Sequence, residues 1–170
     1  MEIKGYITNL GKYNEGYLVG KWVAFPLDEE EEEKVLEEIG INDEYEEYFI
    51  TDYDCDVSSD SLGLGEYTSI SHINEIAEAI NEWGDDEFSD SVIEIFGIDA
   101  ILNDSPDDYI LHPDISNHYD FGYYWVEESG VYDLRNLGNL ANYIDYESFG
   151  RDISLESNGG FSSYGWVEKY

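Results

Sequence analysis

Between Lys34 and Arg135 the chain contains no lysine and no arginine, yet the same stretch holds 28 aspartates and glutamates. An ordinary soluble surface mixes both signs, because opposite charges on neighbouring turns attract and like charges repel. A segment built this way forgoes Glu–Lys support for its helices, and compaction brings its like charges together. The formal net charge of −34 is more than solubility requires. It favours an elongated arrangement, and it points to a partner that is positively charged and extended.

High charge with few apolar residues produces disorder. Here 42% of residues are apolar and 16% aromatic, with 16 Tyr, 7 Phe and 4 Trp spread along the chain. Aromatic side chains bury large areas and anchor a core even in a small unit. The expectation is a folded protein with an anionic coat. Cys55 is the only cysteine, which excludes an intrachain disulfide and a multi-cysteine zinc site. Met1-Glu2-Ile3-Lys4-Gly5-Tyr6 lacks the basic and apolar regions of a signal peptide. No stretch approaches the ~18 apolar residues of a membrane span. The reading is a cytoplasmic protein, repelled by anionic membranes and by nucleic acid.

Ile3–Leu10 and Gly16–Phe25 read as strands joined by a polar turn at Lys12-Tyr13-Asn14-Glu15. Asp28 and Glu31 have the spacing of a capping box, Leu36 and Ile39 supply an apolar side, and Gly40 supplies a stop. The acidic run from Asp28 to Glu33 suits a helix N-terminus, where the macrodipole stabilises anions; Glu37 and Glu38 carry the charge beyond its reach. Tyr48–Tyr53 reads as a third strand, and Asp56–Gly65 as a boundary. Beyond it Ile73, Ile76, Ala77 and Ile80 form one apolar helical stripe, with Glu75, Glu78 and Glu82 opposite. A second helix repeats the design, with Phe88, Val92 and Ile95 inside and Glu87, Asp90 and Glu94 outside.

Asp104-Ser105-Pro106 marks another break. Asp114–Ser129 suits a helix with Ile115, Tyr119, Gly122 and Val126 on one side and Gly130 closing it. Leu137, Leu140 and Ile144 suggest one more short helix, and Phe161–Val167 a final strand. The fold class is therefore α+β in about three small domains: a sheet with a helix over 1–60, a helical middle over 61–105, and a mixed C-terminal unit over 106–170.

No catalytic residue, metal or cofactor is expected. Asp52, Asp54 and Asp56 alternate like the start of a calcium loop, but Val57 and Gly63 stand where that loop needs Gly and Glu. His72, His112 and His118 lack the spacing of a paired metal site. There is no phosphate-cradling glycine loop and no Gly-x-Ser-x-Gly elbow. Arg135 and Arg151 read as cations that neutralise local carboxylates, Arg151 with Asp145 or Asp152 or at a dimer contact.

Duplex DNA carries one negative charge per ~1.7 Å of axis, so 34 net charges at that density cover at most ~58 Å, or about 17 base pairs. A rigid protein displaying carboxylates at such density can occupy a DNA-binding groove without presenting base edges. The candidate partner-facing residues are Glu31, Glu37 and Glu38 on the first helix, and Glu44, Glu46, Glu47, Asp52 and Asp54 around the third strand. Glu75, Glu78, Glu82, Asp86, Glu87, Asp90 and Glu94 follow on the central helices, then Asp107, Asp108, Glu127 and Glu128.

Three segments carry a family resemblance. Asn9-Leu10-Gly11-Lys12-Tyr13-Asn14-Glu15-Gly16-Tyr17-Leu18-Val19-Gly20-Lys21-Trp22 resembles the opening of the ArdA antirestriction proteins. Tyr45-Glu46-Glu47-Tyr48, Ile50-Thr51-Asp52-Tyr53 and Gly65-Glu66-Tyr67-Thr68-Ser69-Ile70 resemble the stretch that follows. Val126-Glu127-Glu128-Ser129-Gly130 and Asn142 to Asp152 are similar to its C-terminal part. The resemblance implies an elongated, curved DNA mimic carried on mobile elements, homodimeric through its C-terminal region. Its implied target is the methyltransferase and specificity core of type I restriction–modification enzymes, with restriction blocked more than modification. Two other readings of the charge stand beside it: an acidic chaperone of basic proteins, and a salt-adapted coat over an unrelated activity.

Overall fold

The computed structural model describes residues 2–84 and 86–170, and of Asp86 the backbone alone. The chain is α+β, with two three-stranded antiparallel sheets separated in sequence by helices. In the first sheet β1 (Ile3–Asn9) lies between β2 (Gly20–Phe25) and β3 (Tyr48–Cys55). Ile3 pairs with Phe25 on one side and Cys55 on the other, which sets Ile3, Ile7, Val23 and Phe25 into the core.

The β1–β2 connection departs from a simple polar turn. Leu10–Asn14 forms a short helix, α1, capped by Asn9, and β2 begins only at Gly20. Asn9 is fully buried and explains the change: its amide donates to the carbonyls of Ile39 and Gly40 at 3.1 Å, while its side-chain oxygen accepts from Lys12 N at 3.0 Å. The two carbonyls lie 30 and 31 residues away, where local turn chemistry cannot see them.

α2 (Glu29–Glu38) starts at the expected capping box, with Glu31 N donating to Asp28 Oδ1 at 2.8 Å and Asp28 N to Glu31 Oε2 at 3.1 Å. It ends at Gly40, whose φ of +80° is one that L side chains rarely adopt. α3 (Ile70–Trp83) buries the whole predicted stripe of Ile73, Ile76, Ala77 and Ile80. One continuous apolar cluster joins the first sheet and α2 to α3, then to Val92 and Ile93 of α4 (Asp86–Phe96) and Ala100 and Ile101 of α5 (Ile98–Asn103). It reaches Tyr109 in β4 (Tyr109–His112) and Val167 in β6 (Gly165–Lys169).

The second sheet has the order β4-β6-β5, with β5 spanning Gly159–Ser162. The single strand expected over Phe161–Val167 is thus a hairpin: Ser163 and Tyr164 make the turn, and Gly165 at φ +135° sits so close to His112 O that a Cβ would lie 2.3 Å from it. The helix expected from Asp114 begins at His118, because β4 and Pro113 precede it and Asn117 supplies the cap. α6 (His118–Tyr123) runs on as a π-helical turn over Tyr124–Glu128. Ile115, Gly122 and Val126 are buried as the spacing predicts, whereas Tyr119 is exposed. Leu137 joins two 3-10 turns, Leu134–Asn136 and Gly138–Tyr143, Leu140 lies in the second, and both face outwards. α7 (Tyr146–Ser154) packs on α6, near a second small core of Ile115, Phe121 and Trp166. Among the described residues no helix is long and apolar enough to cross a membrane.

Candidate functional site

Seventeen of the candidate carboxylates have a described and exposed side chain, and each element holds its share for a local reason. On α2, Glu31 is spent in the capping box, while Glu37 and Glu38 project from the last turn. Lys21 from β2 donates to Glu38 and holds that carboxyl below its ordinary range. Between α2 and β3, Asn42 accepts from Glu44 N (2.8 Å) and Tyr45 N (3.1 Å), which curls the backbone and leaves Glu44, Glu46 and Glu47 in solvent. Along β3 the pleat sends Asp52 and Asp54 outwards. Lys4 lies 2.8 Å from Glu2 and 3.9 Å from Asp54, and the Glu2 carboxylate pushes its ammonium pKa up.

On α3 the Ser69 cap and the left-handed Gly84 stop bound a helix whose Glu75, Glu78 and Glu82 form one exposed row. At 1.5 Å per residue that row spans ~10 Å. Glu75 meets His72 Nδ1 at 2.9 Å; Glu78 and Glu82 form no ion pair among the described residues. On α4, Glu87 and Glu94 are exposed, and Glu94 accepts from Ser163 N at 2.8 Å.

Asp90 corrects the expected outer face of α4. It is only 6% exposed, between the fully buried Ser89 and Ser91. A one-sided helical period assumes one covered face, but α4 packs against α3 and α5 and also against the second sheet, where Ser162 Oγ bonds Ser91 Oγ at 2.9 Å. Asp90 therefore leaves the set of displayed carboxylates. The side chain of Asp86 lies outside the described residues.

Asp107 is exposed in the Pro106–Asp108 turn, and Asp108 closes a cap by accepting from Ser105 N at 3.0 Å. Glu127 and Glu128 are exposed on the π-helical turn, and Tyr146 Oη donates to Glu127. Three further cations pair elsewhere. Arg135 forks Asp133 at 2.8 and 2.9 Å, Arg151 meets Asp152 at 3.0 Å, and Lys169 meets the half-buried Asp104 at 2.7 Å. In these three pairs the carboxylate, Asp133, Asp152 or Asp104, lies outside the candidate set. Glu37, Glu44, Glu46, Glu47, Asp52, Glu78, Glu82, Glu87, Asp107 and Glu128 are consequently exposed with no ion pair among the described residues.

Among the described residues no group of three His, Cys, Asp or Glu is placed to hold a metal ion. Cys55 is half-buried, and burial pushes its thiol pKa up, away from the reactive thiolate. What this surface can do chemically is attract and neutralise cations.

Sequence reasoning missed the rings set among the carboxylates. Tyr13 and Tyr67 both pack on the buried Phe49, at centroid distances of 5.1 and 6.2 Å. The available signal was local: Gly65 N bonds Thr68 Oγ1 and Thr68 N bonds Gly65 O, a tight turn with Tyr67 near its tip. A family model described as antirestriction protein (ArdA) matches residues 5–168. No curated protein matches the chain.

Proposed function

The chain belongs to the ArdA family of antirestriction proteins, and from that membership we propose that it is a DNA mimic that occupies the DNA groove of type I restriction–modification enzymes. The observation that carries this reading is the set of outward carboxylates left without cations, above all the row Glu78–Glu82 on α3 and the loop Glu44–Glu47. A groove that grips phosphates with Lys and Arg meets the same charge sign on a rigid support here. Inhibition then requires no covalent chemistry. The protein acts in the cytoplasm of the bacterial host, on the methyltransferase and specificity core, and blocks restriction more than modification. It does not itself bind nucleic acid, because like charges repel.

The working form is a homodimer built through the C-terminal region, which doubles the length of the acidic surface. Leu140, Tyr143 and Leu155 support this, being 68, 83 and 80% exposed in one C-terminal stretch.

The test is competition. Two type I methyltransferases with different recognition sites, each holding its own duplex, are titrated with the protein. Release of DNA from both at similar protein concentrations, weakening steeply as salt rises, is the expected result. Inhibition that leaves DNA bound, or that affects one enzyme and spares the other, sinks the proposal, because no base edge is offered for discrimination.

A further inference from the structure

Tyr67 is 75% exposed, and its position is enforced. The Gly65–Thr68 turn holds the backbone, Glu66 O accepts from Ile50 N at 2.7 Å, and one face of the ring stacks on Phe49 at an interplanar angle of 25°. The ring shares a surface hollow of about 420 Å³ with Leu10, Glu46, Glu47 and Tyr48. Glu46 and Glu47 also line an adjoining hollow of about 300 Å³ with Glu44 and Tyr45.

The loop that carries these carboxylates is fixed at several points. Glu47 O accepts from Leu10 N at 3.0 Å, Tyr45 Oη donates to Glu15 at 3.2 Å, and the Tyr45 ring lies over Gly11, where a Cβ would sit 2.4 Å from it. Glu46 and Glu47 have no ion pair among the described residues. A held tyrosine ring beside exposed carboxylates on an anchored backbone is the complement of a guanidinium, whose plane stacks on an aromatic face while its N–H groups fork carboxylates. A lysine ammonium would use the charge but not the stack.

We propose that the hollow between Tyr67 and Glu46–Glu47 is an arginine-binding hot spot for a protein partner, separate in kind from the distributed acidic field. This rests on the DNA-mimic reading for the identity of the partner. Phosphate-gripping grooves are rich in arginine, so the partner named above supplies the side chain. The hot spot adds what a diffuse field lacks, a contact that depends on ring geometry and that salt screens little.

The experiment measures the dissociation constant of the protein with a type I methyltransferase across a salt series, for wild type, Tyr67→Leu, Tyr67→Phe and Glu46→Gln/Glu47→Gln. Circular dichroism checks that each is folded, and leucine keeps an apolar cover over Phe49. Expected are a loss of about tenfold or more for Tyr67→Leu with the salt slope unchanged, and Tyr67→Phe within about twofold of wild type. The double neutralisation should weaken binding with a shallower salt slope. Tyr67→Leu binding as tightly as wild type overturns the hot spot while leaving the mimic reading intact. Wild type that binds without releasing DNA overturns the mimic reading, and the Tyr67 comparison still decides the hot spot. Wild type that does not bind the methyltransferase at all overturns both.

Discussion

Gly122 and Gly150 face each other where α6 and α7 cross: a Cβ on Gly122 would lie 2.9 Å from Gly150 N, and one on Gly150 would lie 2.7 Å from Gly122 N. Each added carbon would also press on a carbonyl, Tyr146 O at 1.9 Å and His118 O at 1.8 Å. The obstacles are backbone atoms of a helix, which cannot swing aside as a flexible side chain can.

Two opposing effects therefore act on Gly122→Ala or Gly150→Ala. Alanine in a helix gains about 1 kcal/mol of propensity over glycine. Overpacking costs typically 1–3 kcal/mol, and contacts this short with rigid backbone place it at or above the top of that range. A net loss of about 2 kcal/mol, read as a lower melting temperature of the C-terminal region, is the expected outcome. A variant as stable as wild type would show that α6 and α7 can separate at little cost.

The exposed acidic row should behave as a field. Glu75→Gln, Glu78→Gln, Glu82→Gln or Glu87→Gln alone should weaken enzyme binding by about 0.2–1 kcal/mol. All four together should weaken it about tenfold or more at low salt, and less at high salt. A single change that abolishes inhibition in a folded protein would replace the field with one dominant contact.

Glu127, by accepting a hydrogen bond from Tyr146 Oη, pushes that phenol up from 10.0 to about 12, with burial adding to the shift. The folded-state pKa is raised, so the stability that this contact contributes is complete below pH 10 and is lost as pH rises towards about 12. An ultraviolet titration of tyrosinate should show one group ionising after the others, and Tyr146→Phe should remove that late phase. Persistence of the late phase in Tyr146→Phe would assign it to another tyrosine.

Leu140→Glu and Tyr143→Glu probe the proposed dimer. Both side chains are exposed, so the melting temperature of the protomer should change little, within about 0.5 kcal/mol in stability terms. Sedimentation should change from dimer to monomer, because a carboxylate buried in an apolar contact carries an uncompensated charge. Unchanged sedimentation would move the interface elsewhere.

Some of this architecture is legible residue by residue in the chain. The Asp28–Glu31 box, the Ile73–Ile80 stripe and the Gly40 stop all arise from interactions within about four residues, so spacing alone encodes them. The exposure of the α3 row belongs with them, since a helix with one apolar stripe shows solvent its other side. Net charge, being a sum over residues, also needs no fold.

Other features exist only once distant segments meet. Asp90 has the spacing of an outward carboxylate, but α4 is covered on more than one side, and no local period reports how many neighbours a helix will have. The α1 turn depends on Asn9 reaching Ile39 and Gly40, and the narrow crossing at Gly122 depends on Gly150, 28 positions later. The pairing of Tyr67 with Phe49, and its hollow shared with Glu46 and Glu47, likewise joins residues that sequence leaves apart. The chain by itself determined how much charge there is and where each well-patterned helix lies. Packing between distant segments decided which carboxylates stay in water, because burial is a property of neighbours and not of the residue itself.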